Sequence, residues 1–357
     1  MAGLFSAALL RRAGHEVHVF ERSNSGLEGR GAGLVAQEEV FALLRTLGLD
    51  DVSRLGVVAR ERITLDRSDA VIQRDPRPQM QVSWDHLYVA VRMLIADEGY
   101  HLGQSVVAAG QDGEGAWLEL GDGTRITADL VIGADGIGSA VRRMVLPSDP
   151  GPSYAGYVAW RALVPEKLLP PSAAMVLSDR FAFFHMPGGQ ALGYTVAGAT
   201  GELEPGERRY NAVWYRSTAD LVPTLTDRDG RTHPFSLPPG GVSAQAKEAL
   251  VAAGRQLLPA SFADVFAAEP QPFVQAIFDM EALRMADRRL ALIGDAAFVA
   301  RPHTAMGVAK AAGDAMALAL GVARGWTPEA RAAFETERLQ AGRAIVGFGR
   351  RLGASLA

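Results

Sequence analysis

The 357-residue sequence predicts a mixed α/β chain in which a parallel sheet with helices is joined to a second, mainly antiparallel sheet. Three observations carry this. The chain opens with a helix, a glycine and an alternating strand that ends in an acid. Two later apolar strands, at 130–134 and 289–294, each run into an acid and then a helix. Between them, from about 153 to 278, aromatic residues crowd into short alternating runs broken by Pro and Gly.

The elements follow in order. Leu4, Ala7, Ala8 and Ala13 recur at helical spacing, and Gly14 suits the helix end. Residues 16–22 alternate and finish on Glu21-Arg22, as a strand does. Helix, glycine, strand and acid form the second half of a dinucleotide-binding βαβ unit. Gly3 fits the last glycine of a G-x-G-x-x-G turn whose earlier members are not in this sequence. Residues 37–47 place Val40, Leu43, Leu44 and Leu47 on one face, so an amphipathic helix is expected, and 84–95 reads as another. Short strands at 106–109, 116–120 and 124–127 are separated by Asp112-Gly113 and Gly121-Asp122-Gly123, the residues of tight hairpin turns. This predicts a β-meander inserted into the α/β sheet. Helices are expected near 244–257 and 261–268. Residues 307–323 form a long Ala-rich helix, and Thr327-Pro328 opens the last one, Thr as cap and Pro in the first turn.

Composition narrows the function. Apolar residues make up 48% and charged residues 21%, which suits a folded globular chain. Cysteine is absent, which excludes a disulfide scaffold, thiolate metal sites and a cysteine nucleophile. A formal charge of −4 gives no net positive field to gather nucleic acid. No run approaches the roughly 18 apolar residues of a membrane span. The apolar N-terminal stretch lacks a basic region ahead of it, because Arg11-Arg12 follow it. A cytoplasmic protein that binds neither membrane nor nucleic acid is expected. There is no G-x-S-x-G elbow, no G-x-x-x-x-G-K-[ST] loop and no H-E-x-x-H, and no metal site is expected.

Three stretches could carry chemistry. Glu21, at a strand end, could accept the ribose hydroxyls of an adenine dinucleotide, or be a solvated charge. The stretch 129–142 runs a strand into Asp135-Gly136 and a helix near Ser139; it could bind phosphate or a polar ring edge, or be a simple strand-turn-helix with a capping residue. The stretch 293–307 runs a strand into Asp295, a loop with Pro302, His303 and Gly307, then a helix whose first amides can stabilise negative charge. Asp295 could accept a ribityl or ribose hydroxyl.

Taken together, the Glu21 strand, Arg30-Gly31-Ala32-Gly33, the Asp135-Gly136 stretch and the Gly294-Asp295 stretch resemble the FAD-dependent aromatic hydroxylases of the p-hydroxybenzoate hydroxylase type. Ser83-Trp84-Asp85, 154–161, 213–216 and Arg301-Pro302-His303 resemble the branch acting on dihydroxypyridines. The resemblance runs along almost the whole chain. It implies a glutathione-reductase-type Rossmann-like FAD domain over 1–150 and 279–325, an antiparallel substrate domain over 151–278, and a C-terminal helix over 326–357. It also implies FAD contacts from Gly3, Glu21, Arg22, Arg30, Gly31, Gln37, Val107, Asp135, Asp295, Pro302 and Gly307. NADH or NADPH would reduce the flavin as a transient co-substrate. O₂ taken up at its C4a position would then hydroxylate an electron-rich phenol or hydroxypyridine. His303 is the candidate base that deprotonates a ring hydroxyl, or a brace for its loop. His185, Tyr194 and Tyr215 are candidates for the substrate pocket, and a homodimer is possible.

The sequence departs from that family where it begins. The strand and glycine-rich turn that precede the first helix in the family are missing. The expectation is that Met1 is an internal methionine of a longer product; the alternative is a chain with a weak or absent FAD site. A flavin reductase or dehydrogenase on the same fold, and a non-catalytic protein, are the competing functional readings.

Overall fold

The structure is a computed structural model that describes residues 1–27, 33–35, 37–49 and 56–356. Arg30 and Gly31 lie outside the described residues. The first helix, Ala2–Arg12, ends as the glycine predicts: Gly14 takes a φ of +90°, and its N–H bonds the Arg11 carbonyl. The apolar face of the helix, Leu4, Phe5, Ala8 and Leu9 among it, is buried against the long helix Gly307–Ala323. The expected strand over 16–22 is shorter, Val19–Glu21, because its only described partner is the three-residue strand Tyr100–Leu102, which it joins in parallel. The meander is present: Val106–Gln111, Ala116–Leu120 and Arg125–Ala128 pair antiparallel. Val131–Gly133 pairs in parallel with Leu290–Leu292.

These parallel strands do not form one sheet. Among the described residues Val19–Glu21 pairs only with Tyr100–Leu102, and Val131–Gly133 only with Leu290–Leu292. A cavity of about 1400 Å³ lies between, lined by Val19, Glu21, Ile132 and Gly133 and by the first turn of the first helix.

The aromatic-rich region forms a nine-stranded sheet. Its main order is Ser236–Leu237, Phe273–Glu281, Ser153–Pro165, Arg209–Ser217, Gly189–Val196, Arg180–Met186, Glu61–Leu65 and Val71–Asp75, and the ninth strand, Phe298–Val299, pairs with Phe273–Glu281 off this path. All pairs are antiparallel except Glu61–Leu65 against Arg180–Met186. Along Ser153–Pro165 the two faces separate by period two. Val158, Trp160, Ala162 and Val164 pack under the helices Ala244–Leu257 and Ala260–Ala268, with Leu250, Phe262 and Phe266. Tyr157 and Ala159 face the other way, toward the loop before the Gly307–Ala323 helix. A small sheet of Gly33–Val35, Gln79–Ser83 and Gly56–Ala59 packs on the same face farther along, where Val35 and Ala59 meet Phe181, Tyr194 and Val196. A Cβ on Gly33 would overlap the Tyr194 ring, so this close approach requires glycine. No helix among the described residues is long and apolar enough to cross a membrane.

Candidate active site

Two clusters collect the residues singled out in the sequence. In the first, Gly3, Glu21, Arg22, Val107 and Asp135 all line the 1400 Å³ cavity, Gly3 from the first turn of the first helix and the others at or near the ends of strands. Glu21 ends its strand, and one of its carboxylate oxygens, Oε1, accepts the Ser23 N–H at 2.8 Å. Arg22 and Val107 are exposed. Gly3 brings the first helix so near the Val131–Gly133 strand that an added Cβ would sit 3.3 Å from Ala134 Cβ. Gly294, at a φ of +62°, takes a tight turn whose Cβ would press on Ala2 at 2.7 Å.

Asp135, expected to contact FAD, instead serves the start of the helix Ala140–Val145, whose N-cap is Ser139. Its Oδ2 accepts the N–H groups of Ala140 and Val141 at 2.6 and 3.3 Å, and its Oδ1 accepts the Ser139 hydroxyl. Ser139 in turn caps Arg142 at 2.9 Å. Asp295 keeps 57% of its side chain exposed and meets Lys310 Nζ at 3.3 Å. Lys310 itself is buried in the Gly307–Ala323 helix. The sequence reading missed this lysine, although it lies one helical turn beyond Gly307. Gln37 caps the helix Glu38–Thr46 through its carbonyl alone and is half-buried.

The residues present fit FAD. An acid at a strand end, close-approach glycines beside a helix start and an exposed acid beside a buried lysine are donors and acceptors for ribose, phosphate and ribityl groups. Asp135 is the exception, since its oxygens already serve the helix.

The second cluster lies under the aromatic sheet. Pro302–Thr304 forms a 3₁₀ turn, Ala305 takes a left-handed φ of +53°, and Gly307 opens the long helix. His303, half-buried in that turn, has its Nε2 2.9 Å from the Tyr157 hydroxyl. Its ring centroid is 4.1 Å from that of Tyr215. Burial, and then the charge of Arg301, lower the His303 pKa from 6.5 to about 4, so its imidazole is neutral at pH 7. Burial pushes Tyr157 well up and Tyr215 up to about 12, so both keep their protons. Tyr194 is buried farther along the same face, edge-on to Phe181. His185 ends up exposed on its strand, and its Nδ1 lies 3.4 Å from the Gln190 amide. Tyr157 was visible in the sequence only as one aromatic among many. A lone base bracketed by two buried phenols can accept a hydrogen bond from a small ring and hold its proton. Among the described residues no cluster of His, Asp and Glu could hold a metal ion.

Residues 1–167 match a family described as FAD binding domain, and residues 154–279 one described as FAD binding domain-like. The 2,6-dihydroxypyridine 3-monooxygenase of Paenarthrobacter nicotinovorans is 33% identical over 326 residues, spanning 89% of this chain and 80% of that protein. The solved 2,6-dihydroxypyridine-3-hydroxylase from Arthrobacter nicotinovorans superposes with a TM-score of 0.92 at 30% identity, over 99% of this chain and 90% of that one. Klebsiella pneumoniae HpxO, solved with FAD and uric acid, shares the fold at a TM-score of 0.78 and 22% identity, over 99% of this chain and 86% of that one. The fold, the cluster of FAD-compatible residues and this near-full-length likeness agree: the chain belongs to the FAD-dependent aromatic hydroxylases, the family of 2,6-dihydroxypyridine 3-monooxygenase.

Proposed function

We propose that this chain hydroxylates a hydroxypyridine or phenol, consuming O₂ and NADH or NADPH. Ring C–H, O₂, NAD(P)H and a proton become ring C–OH, water and NAD(P)⁺. The observation that carries the reading is His303, neutral and held against Tyr157 and Tyr215 beneath the substrate sheet. FAD, when bound, supplies the redox chemistry that activates O₂. Glu21 and Asp295 would hold its ribose and ribityl hydroxyls, with Gly3, Arg22 and Val107 along it and Pro302 and Gly307 beside its ring. Arg30, Gly31 and Gln37 complete that proposed set.

The chain's own residues do the rest. Tyr194 and Tyr215 wall the ring and keep water out. His303 accepts the hydrogen bond of the ring hydroxyl. As that oxygen gives up its proton, the anion formed beside the imidazole stabilises the imidazolium and offsets the burial that otherwise keeps it neutral. The Tyr157 hydroxyl fixes the ring orientation of His303 and shares its proton. A more electron-rich ring follows, which is what ring hydroxylation requires.

The test is to supply FAD to the purified protein, remove the excess and record the visible spectrum. NADH and NADPH oxidation is then followed with hydroxypyridines and phenols. Retained flavin, ring-stimulated oxidation and a product heavier by one oxygen support the reading. Oxidation indifferent to every ring would instead mark a flavin reductase, and failure to hold flavin would mark a non-catalytic chain. His303→Gln lowers ring hydroxylation by roughly 10²–10⁴-fold while flavin stays bound, the range of a lost general base.

A further inference from the structure

The sheet face above His303 carries one cation that its neighbours leave unanswered. On the strand Ser153–Pro165, Arg161 follows Tyr157 and Ala159 by period two, so it lies on their face rather than among the helix-covered residues. It stands opposite Val213, between the pairs Ala159–Tyr215 and Leu163–Asn211. Its charge reaches the hydroxyls of both Tyr194 and Tyr215, where it opposes the upward push of burial.

Other buried arginines of this protein meet carboxylates. Arg208 binds Glu166 and Asp179, Arg301 binds Asp279, and Arg338 binds Asp314. Arg161 has no ion pair or side-chain hydrogen bond among the described residues. Asn211, one pair along on the same face, is completely buried, and among the described residues both its amide oxygen and its amide nitrogen lack a partner. The Tyr194 hydroxyl, across from Asn211, makes no hydrogen bond to a described residue either. Buried polar groups are ordinarily satisfied, and a half-buried guanidinium ordinarily finds an anion. Here the unmet groups are donors in excess: five guanidinium N–H groups, the Asn211 amide and the Tyr194 hydroxyl.

We propose that Arg161, with Asn211 beside it, receives the deprotonated ring oxygen of the aromatic substrate and so selects the oxide over the neutral ring. This rests on the hydroxylase reading and extends it. His303 takes the proton, and Arg161 holds the charge left behind. The planar fork of arginine suits an oxide with two lone pairs in the ring plane. Of the titratable groups around that oxygen, Tyr157, Tyr194 and Tyr215 keep their protons, and His303 is neutral until it takes the ring proton; Arg301, whose charge reaches His303 and Tyr157, is paired with Asp279, so the unpaired charge of Arg161 decides the preference.

The probe is 4-nitrophenol, whose visible absorption reports its ionisation, compared with 4-nitroanisole, its uncharged methyl ether. Both are titrated into the protein with FAD supplied. In the wild type, 4-nitrophenol binds as the oxide, with a lower pKa than in water. Arg161→Met loses about ten- to hundred-fold in affinity for 4-nitrophenol and almost none for 4-nitroanisole, the range of one charge-assisted hydrogen bond. Arg161→Lys recovers part of the loss. Circular dichroism and retained flavin report that each variant is folded.

Equal binding of the oxide by the wild type and Arg161→Met overturns the proposal. So does a folded Arg161→Met that loses both ligands alike, because that is a packing role. The two readings fail separately. A wild type that selects the oxide yet shows no ring-stimulated NAD(P)H oxidation overturns the hydroxylase and leaves this site standing. Ring-stimulated turnover whose KM is unchanged in Arg161→Met overturns this site and leaves the hydroxylase.

Discussion

Arg301 donates from Nε and Nη2 to the carboxylate of Asp279, at 3.0 and 2.8 Å, in a pair that is almost wholly buried. Asp279 belongs to the nine-stranded sheet and Arg301 lies two residues before His303, so this pair joins the loop to the sheet that faces it. Arg301 also donates to the Gly353 carbonyl at 3.2 Å, which ties in the end of the last helix. Asp279→Ala strands a buried guanidinium and should destabilise the protein by about 3–5 kcal/mol. Urea unfolding measures it. A loss below about 1 kcal/mol would show that the guanidinium finds water or another partner.

His303 makes stability depend on pH in a defined window. Its folded pKa is about 4 against an ordinary 6.5, so the folded state resists protonation that the unfolded chain accepts. The contribution of neutral His303 is intact above pH 6.5 and is lost as pH falls from there toward 4. Unfolding midpoints of the wild type and His303→Gln, measured from neutral pH down to 4, should converge as pH falls. Parallel curves would mean that His303 titrates normally.

Glu21 has one carboxylate oxygen that the Ser23 amide does not use, and on the proposed reading that oxygen meets the FAD ribose. Glu21→Gln keeps a carbonyl oxygen for that amide and removes the negative charge. FAD affinity should fall about ten- to hundred-fold, measured by flavin fluorescence, with unfolding unchanged within about 0.5 kcal/mol. An unchanged affinity would remove Glu21 from the cofactor site.

Asp135 answers differently. Its carboxylate caps the helix Ala140–Val145, so Asp135→Ala should cost about 0.5–2 kcal/mol of stability. Flavin affinity at a temperature well below unfolding should change little. A large loss of flavin with intact stability would reverse the assignment.

Periodicity was readable where one element meets one environment. The helix over 307–323 agrees with the structure residue for residue, and the 37–47 helix agrees to within one residue at each end. The strands at 56–83 were not recognised, because residues such as 71–75 are solvated on most sides and carry no alternation. The strand over 16–22 was overestimated, because pairing length depends on a partner some 80 residues away. The site shows the same division. Asp295, His303 and Gly307 stand in one stretch of sequence. Arg301 and Asp279 are 22 residues apart, and Tyr157 and His303 are 146 apart, so nothing local announces either pair.

Among the described residues, the facing edges of Val19–Glu21 and Val131–Gly133 carry no strand partner, which sets how fast their amides exchange. In a parallel strand successive residues turn their amides to opposite sides, so Phe20 and Ile132 present theirs to the cavity. Those two amides should trade their protons for deuterium early, while Val131, bonded to the Arg289 carbonyl, holds its own far longer.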